Sequence, residues 1–364
     1  MAGASKLKTP SLIASRLTSQ MLAGEPAGDP LAVTRHLLAV QGQDPRGARL
    51  AIRARSRDTT AAEVDRALTE ERSLLITWVN RGTLHLLASE DYAWLHRLTT
   101  PQLFTANARR LSQEGVSEAA AEKGLKRIQR ALASEGPLDR AQLRERIAAK
   151  GVPTKGQALV HLLLLASLRG LIVRGPVIEG QHAYVLVRDW LGESPPVDRD
   201  RALAELARRY LIGHAPAEDR DLARWAGLPL RDARQGLSSI APELHQRSDG
   251  LLELALTGQP APLPPPRLLG AFDPLLLGWR SREDILGGNR QIVTTNGLFR
   301  PFALIEGRAL ATWSLAAGKI ELKPFRRLSS AHERALQADG GEVLRYLGLP
   351  QTPSASVDGP PRSS

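Results

Sequence analysis

The first 90 residues show two successive patterns of apolar positions. Up to about residue 70, apolar residues recur every three to four positions, which is the period of an amphipathic helix, and Ser11 and Asp29-Pro30 are the predicted starts of the first two helices. Two runs rich in β-branched and apolar residues follow, Leu74–Val79 and Thr83–Leu87. Asn80 and Gly82 between them tolerate the positive φ of a tight turn, so the runs predict a β-hairpin. Helices followed by a two-stranded hairpin are the succession of elements typical of a winged-helix unit.

This order of elements recurs twice along the chain. A second set of three helical segments precedes the β-prone runs 171–173 and 183–187, and a third set precedes two short runs on either side of Asp249-Gly250. Asp-Gly suits a type I′ hairpin turn. We therefore predict an α+β fold with three tandem winged-helix motifs, in residues 1–120, 121–197 and 198–257.

A different pattern begins after a proline-rich stretch. The prolines between residues 258 and 266 lack amide donors and favour extended backbone, which predicts a linker. Beyond it, β-like runs between residues 291 and 325 predict a small C-terminal antiparallel β-barrel, and a helix follows from about Ser330 to Tyr346. Linker, barrel and helix together form a predicted unit of residues 258–348. Residues 349–364, rich in Pro, Ser and Gly, predict a disordered tail.

The composition narrows the chemistry and the location. There is no cysteine, which excludes disulfides, thiolate zinc sites, iron–sulfur clusters and cysteine nucleophiles and suits a reducing compartment. Residues 1–10 contain no apolar stretch of signal-peptide type. The longest apolar run, Ala158–Leu168, includes His161 and is too short to span a bilayer. We expect a cytoplasmic, nucleoid-associated protein without a membrane partner.

The excess of basic residues favours a polyanionic partner. Lys and Arg number 49 against 38 Asp and Glu, which gives a formal net charge of +11 and an isoelectric point near 10.5. Each phosphate that an Arg or Lys neutralises releases condensed counterions, so such a surplus suits nucleic acid. A GC-rich coding sequence, which favours Ala, Leu and Arg, is an alternative source of the same surplus. Charge alone therefore leaves nucleic-acid binding open.

Signatures of nucleotide-dependent or metal-dependent enzymes are missing. The stretch Gly151–Gln157 matches a phosphate-binding loop only in part, because Gln157 and Ala158 stand where lysine and serine or threonine are needed. The 8 histidines are scattered, without a close pair at metal-ligand spacing. We therefore predict neither a metal site nor a cofactor.

Two glutamines, Gln41 and Gln43, flank Gly42 at the end of the second predicted helix. Pro45 blocks continuation of the helix, so one exposed loop can present both amides. Glutamines at helix ends also commonly bond only to water or to the backbone, and this alternative stays open.

A row of arginines follows the glutamines. Arg46, Arg49, Arg53 and Arg57 lie three to four residues apart, which predicts one basic stripe along a helix. Such a stripe suits either a solvated helix face or the backbone of DNA. We assign the first three as predicted phosphate contacts.

Five segments, spread over nearly the whole chain, carry a further likeness: Leu38–Arg46, Asn80–Leu86, Asp221–Leu228, Leu268–Trp279 and Ala311–Phe325. In this order they resemble the AlkZ and YcaQ-like superfamily of bacterial winged-helix DNA glycosylases. The resemblance implies three tandem winged helices and a terminal β-barrel that form a concave, DNA-holding body. Arg81, in the second segment, joins the predicted DNA-binding residues.

The resemblance also implies a catalytic motif. In the AlkZ branch the motif is glutamine, an apolar residue and glutamine, which assigns catalysis to Gln41 and Gln43, although Gly42 departs from the apolar middle position. The YcaQ branch ends the motif with aspartate, and Asp44 lies one place too late, so it is a minor candidate. An N7- or N3-alkylated purine already carries positive charge and leaves without a general acid. Two amide oxygens then suffice to position water and stabilise the oxocarbenium-like state.

A turn near the C-terminus predicts a second contact with DNA. Asn296-Gly297 fixes a tight turn, and the adjacent Leu298 and Phe299 place at least one apolar side chain on the exposed side of a strand. With Arg300 beside them, they form a candidate apolar wedge and phosphate contact near the lesion. Alternatively, Phe299 fills the interior of the predicted barrel.

The sequence therefore predicts a monomeric DNA glycosylase, a hydrolase that removes alkylated purines from double-stranded DNA. The resemblance adds interstrand crosslinks to the candidate substrates. The alternative is a non-catalytic winged-helix DNA-binding protein or transcriptional regulator, because most winged helices bind DNA without altering it.

Overall fold

The protein has a mixed fold of helices and antiparallel sheets. The computed structural model describes residues 5–149, 151–193, 196–294 and 296–350. The predicted disordered tail lies outside the described residues from 351 onward, and so does Thr295, in the first of the predicted β-like runs. No helix within the described ranges combines the length and the apolar content needed to cross a bilayer.

The first region contains the predicted helices and hairpin together with one additional short strand. Asp29 caps the second helix by accepting from the Ala32 amide at 2.7 Å, and Pro30 begins that helix, as predicted. The first helix begins earlier than the predicted cap at Ser11. The elements are α1 (Ser5–Ser19), α2 (Pro30–Leu37), β1 (Val40–Gln41), α3 (Pro45–Arg53), α4 (Ala61–Thr69), β2 (Leu74–Val79) and β3 (Thr83–Ala88).

Two further sets of three helices and a hairpin follow, in the predicted order. Two helices, α5 (Tyr92–Thr99) and α6 (Phe104–Gln113), precede them. The second set is α7 (Glu118–Glu135), α8 (Arg140–Ala148), α9 (Ala158–Leu168), β4 (Ile172–Ile178) and β5 (Gln181–Leu186), followed by the short α10 (Val187–Leu191). The third set is α11 (Arg199–His214), α12 (Asp219–Ala226), α13 (Leu230–Ser239), β6 (Leu244–Gln246) and β7 (Leu252–Leu254).

The first two hairpins share one sheet. Its five strands are ordered β1-β3-β2-β4-β5, because β2 pairs with β4 through Ile76 and Arg174. All six residues of β2 are buried, as expected of a central strand with five apolar residues in the run Leu74–Val79. The two-residue β1 forms one edge of this sheet, which places Gln41 at that edge.

The C-terminal strands form an open sheet, so the predicted β-barrel is wrong for the described residues. The strands are β8 (Arg267–Leu269), β9 (Phe302–Ile305), β10 (Arg308–Ala316) and β11 (Lys319–Pro324), in the order β11-β10-β9-β8. Residues 292–294 and 296–300, the 292–300 hairpin, have only an isolated bridge, between Val293 and Phe299, and add no strand that would close the sheet. The helix α15 (Ser330–Tyr346) covers one face instead, with Val343 and Leu336 in a shared apolar cluster. Between β8 and β9 lies the short α14 (Glu283–Leu286).

Buried apolar side chains are continuous across the predicted unit boundaries. One cluster contains Leu17 of α1, Tyr210 of α11 and Trp279 of the C-terminal region. A second cluster joins Ile76 of the first hairpin to Leu163 of α9. The boundaries of the predicted units therefore remain predictions, since packing alone does not separate them.

Candidate active site

Gln41 is held at the sheet edge by its neighbours. It pairs with His85 across β1 and β3, and its side chain is buried. Its Nε2 donates to Oε1 of Gln43 at 2.7 Å, and the Thr83 hydroxyl donates to its Oε1 at 3.5 Å. The structure thus brings the two predicted catalytic amides into direct contact.

Gln43 is exposed, in the short link between β1 and α3. Asp44 directly after it caps α3 by accepting from the Gly47 amide at 2.7 Å, and Pro45 needs no amide acceptor at the first helical position. Because Asp44 and Pro45 begin α3 directly after Gln43, Gln43 lies at the start of that helix. The minor candidate Asp44 therefore has a defined role in helix capping.

Gly42 lies buried between the two glutamines. Its amide donates to the Leu84 carbonyl at 2.7 Å, which continues the pairing of β1 with β3. A Cβ at this position would meet Ile76 Cγ2 and Leu86 N at 3.4 Å. The middle position of the motif therefore faces the sheet interior, where a small apolar side chain fits at ordinary contact distance.

His85 lies beneath Gln41 and is neutral. Burial, and then the charge of Arg81, lower the pKa of His85 to about 3. Its Nδ1 donates to the Thr83 carbonyl at 2.9 Å. Sequence reasoning missed His85 and Thr83, although both belong to the segment Asn80–Leu86 that carries the family likeness.

An open cavity of about 440 Å³ borders Gln43. Its walls come from the start of α3 on one side and from the C-terminal sheet on the other. A Cβ at Gly47 would lie 2.3 Å from the Ala271 carbonyl, so only glycine allows α3 this close to the C-terminal segment. The lining residues are Gln43, Asp44, Pro45, Arg46, Gly47, Leu50, Ala271, Pro301, Trp313 and Leu315.

The predicted arginine stripe does not form. Arg46 is exposed and lines the cavity, but Arg49 is ion-paired with Asp65. Arg53 is buried, and its Nη2 donates to Asp339 of α15 at 2.7 Å. Arg57 lies beyond the end of α3. The stripe prediction is wrong because neighbouring helices supply carboxylates to this face, which spacing within one helix cannot reveal.

The predicted tight turn at Asn296-Gly297 is present. The Thr294 amide donates to the Leu298 carbonyl at 2.9 Å, and the Gly297 amide donates to the Thr294 carbonyl at 3.0 Å. Leu298 is 57% exposed, and Arg300 is exposed. Phe299 is half-buried, with its ring centroid 5.5 Å from that of Phe272. The exposed apolar side chain is therefore Leu298, while Phe299 packs inward.

Arg81, at the tip of the β2–β3 hairpin, points toward the third set of helices. Its Nη1 donates to the Trp225 carbonyl at 2.6 Å, at the end of α12. Within the described residues, no group of three or more His, Asp or Glu side chains is placed to hold a metal ion.

Known DNA glycosylases are similar to this chain in sequence and in fold. The family model described as DNA glycosylase AlkZ-like matches residues 34–346. The chain belongs to the AlkZ-like DNA glycosylase family. It is thus a hydrolase homologue, as the five sequence segments predicted, and family membership favours this interpretation over the non-catalytic alternative.

A curated sequence and a solved structure, both from Streptomyces sahachiroi, are similar to 94% of this AlkZ-like chain. The interstrand DNA cross-link repair glycosylase of Streptomyces sahachiroi is 26% identical over 378 residues, which cover 94% of this chain and 97% of the relative. The solved structure of Streptomyces sahachiroi DNA glycosylase AlkZ matches with a TM-score of 0.74 at 22% identity, covering 94% of this chain and 98% of that one. The AlkZ-like chain therefore shares the fold of that structure.

Proposed function

We propose that this AlkZ-like protein hydrolyses the N-glycosidic bond of N7- or N3-alkylated purines in double-stranded DNA, with Gln41 and Gln43 as the catalytic pair. The observation that carries the proposal is the 2.7 Å hydrogen bond between the two amides at the edge of an open cavity. This hydrogen bond holds the two side-chain amides side by side. The chain belongs to a family of base-excising enzymes.

The amide geometry suits an activated leaving group. Each carbonyl oxygen has two lone pairs, so Oε1 of Gln41 and Oε1 of Gln43 each retain one after the hydrogen bonds that the protein makes. One lone pair orients a water molecule toward the sugar carbon, and the other faces the cationic sugar as the glycosidic bond breaks. Neither amide is a base, so the reaction depends on a purine that is already cationic.

The surrounding structure supports a duplex as the substrate. Arg46 lies beside the cavity, and Pro301, which follows Arg300, lines it. We assign Arg46, Arg81 and Arg300 to phosphates and Leu298 to the distorted duplex near the lesion. The three sets of helices and hairpin are proposed to act as winged-helix units that hold the DNA. The crosslink-repair relative supports interstrand crosslinks as further substrates.

Incubation with a duplex that contains one N7-methylguanine, followed by alkaline cleavage, tests the proposal. We expect strand cleavage at the lesion, which reports an abasic site. The double variant Gln41→Ala, Gln43→Ala serves as the matched control and is expected to bind the duplex without cleaving it. A parent protein that shifts the duplex on a gel but leaves it whole would contradict the proposal.

A further inference from the structure

Three arginines that are far apart in sequence are close enough for their charges to interact: Arg81 in the β2–β3 turn, Arg224 in the last turn of α12, and Arg282 just before α14. We propose that together they bind one phosphodiester of the DNA backbone close to the nucleotide that loses its base. The inference rests on the proposed function for its DNA ligand, but it assigns a site formed by three separate parts of the chain.

Direct backbone contact brings Arg81 and Arg224 together. Nη1 of Arg81 donates to the Trp225 carbonyl at 2.6 Å and lies 3.5 Å from the Arg224 carbonyl. Gly227 ends α12 in the left-handed conformation, and a Cβ there would lie 2.8 Å from the Asn80 carbonyl oxygen. The hairpin turn is therefore pressed against the end of the helix, so the two arginines are neighbours.

Arg282 connects this pair to the 292–300 hairpin. Its guanidinium lies over the Phe299 ring, 5.1 Å from the ring centroid. Its Nε donates to the Leu276 carbonyl, while within the described residues its terminal nitrogens make no hydrogen bond. The planar group is thus held in place by stacking and by one hydrogen bond, with donors left for a ligand.

The charges of this cluster are uncompensated. Most buried or half-buried arginines of the protein pair with carboxylates, but among the described residues none of these three forms an ion pair with Asp or Glu. Burial, followed by the charges of Arg224 and Arg282, lowers the pKa of Arg81 to about 10. Burial, followed by Arg224, also lowers the pKa of Arg282. An anion with several acceptor oxygens, such as a phosphodiester, relieves this repulsion.

Arg81 connects the cluster to the proposed catalytic pair. The charge of Arg81 acts on His85, which pairs with Gln41 across β1 and β3. The hydroxyl of Thr83, two residues after Arg81, donates to the side-chain Oε1 of Gln41. A phosphate at the cluster would therefore belong to the nucleotide in the active site or to an adjacent one.

A purely structural role explains only part of the arrangement. Arg81 caps the free carbonyls at the end of α12, as a cation at a helix C-terminus commonly does. This role does not account for Arg224, which is exposed and whose side chain makes no hydrogen bond or ion pair within the described residues. Arg224 is therefore the most informative position to test.

The test measures binding of an undamaged duplex by Arg224→Ala and Arg282→Ala as a function of salt. Each variant is expected to lose roughly tenfold in affinity and to reduce the slope of log affinity against log salt by about 1. Arg220→Ala, an exposed arginine of the same helix, is the matched control and is expected to bind like the parent. Melting temperatures show whether either variant is unfolded.

A second measurement identifies the phosphate. Duplexes in which one phosphate at a time is replaced by a neutral methylphosphonate are expected to weaken parent binding at one position near the lesion, and Arg224→Ala is expected to be insensitive there. Parent-like binding by a folded Arg224→Ala variant, or undiminished sensitivity at every position, would overturn the inference. The first measurement uses undamaged DNA and the second measures binding alone, so a failure of base excision leaves both outcomes unaffected.

Discussion

Arg55 and Asp273 form a fully enclosed ion pair, with the Arg55 Nη2 and Nη1 nitrogens 2.8 and 3.0 Å from the two carboxylate oxygens and both side chains 0% exposed. Arg55 follows α3, whose start carries the glutamine loop. Asp273 lies two residues after Ala271, which lines the cavity. This pair therefore fixes the C-terminal segment to the helix that positions the proposed catalytic pair.

Breaking this pair is expected to destabilise the protein strongly. Asp273→Ala leaves a guanidinium buried without its carboxylate, which lowers the free energy of unfolding by about 3–5 kcal/mol. The double variant Arg55→Met, Asp273→Leu removes both charges and is expected to be more stable than the single variant. Urea unfolding measures both. A single variant as stable as the parent would show that the pair does not hold the two segments together.

Gln41→Ala and Gln43→Ala are each expected to lower base excision by roughly 100-fold, because each removes an oxygen that positions water and stabilises the sugar cation. Single-turnover release of N7-methylguanine measures the rate, and a gel shift checks that DNA binding persists. Gln113→Ala, an exposed glutamine of α6, is the control. Parent-like release by both motif variants would remove the glutamines from the mechanism.

Arg46 and Arg53 are expected to respond in opposite ways. Arg46→Ala should reduce the slope of log affinity against log salt by about 1 with unchanged stability, since this side chain is exposed beside the cavity. Arg53→Ala should leave the slope unchanged and lower the free energy of unfolding by about 3 kcal/mol, since it removes the ion-pair partner of the half-buried Asp339. If Arg53→Ala were as stable as the parent but reduced the salt slope of DNA binding, Arg53 would belong to a DNA-contacting arginine stripe after all.

Substitutions of the two apolar residues of the 292–300 hairpin, Leu298 and Phe299, are expected to have different effects, one on excision and the other on stability. Leu298→Ser should reduce excision at an unchanged melting temperature, because the side chain is 57% exposed. Phe299→Ser should lower the melting temperature, because the ring packs against Phe272 and beneath Arg282. Leu256→Ser, at a leucine that is 99% exposed, is the matched control for both assays. Full activity of Leu298→Ser would exclude a wedge at this hairpin.

Stability is expected to fall as pH drops below about 6.5, before the carboxylates titrate. Burial lowers the pKa of both His85 and His214 to about 3. Between these values the unfolded chain binds more protons than the folded one, so the free energy of unfolding rises with pH, by on the order of 1 kcal/mol per pH unit for each histidine. Urea unfolding at several pH values measures this slope.

The histidine variant His85→Gln provides the comparison for that slope. This variant should reduce the slope of unfolding free energy against pH by the contribution of His85. An identical slope in parent and variant would contradict the lowered pKa of His85. Because amides do not titrate, the excision rate of the parent protein should stay nearly constant from about pH 6 to 8.

Local signals in the sequence determined much of the secondary structure. The cap at Asp29 and the turn at Asn80-Arg81-Gly82 formed as predicted, because each depends on backbone preferences within a few residues. A hairpin also formed at Asp249-Gly250, but the predicted type I′ turn is wrong, since only Gly250 has a positive φ. The motif around Gln41 also indicated the family, since it lies in a short contiguous segment.

Only the tertiary structure decided where the charges and the sheet edges lie. Arg53 meets Asp339 across 286 residues and Arg55 meets Asp273 across 218, so the spacing of arginines along α3 could not show which of them face solvent. The first two hairpins share a sheet, and the C-terminal sheet stays open beneath α15, because strand pairing depends on distant partners. The same holds for the arginines beside the glutamines: each is unremarkable in its own segment, and only the packing of α12 against the β2–β3 turn brings Arg224 to Arg81.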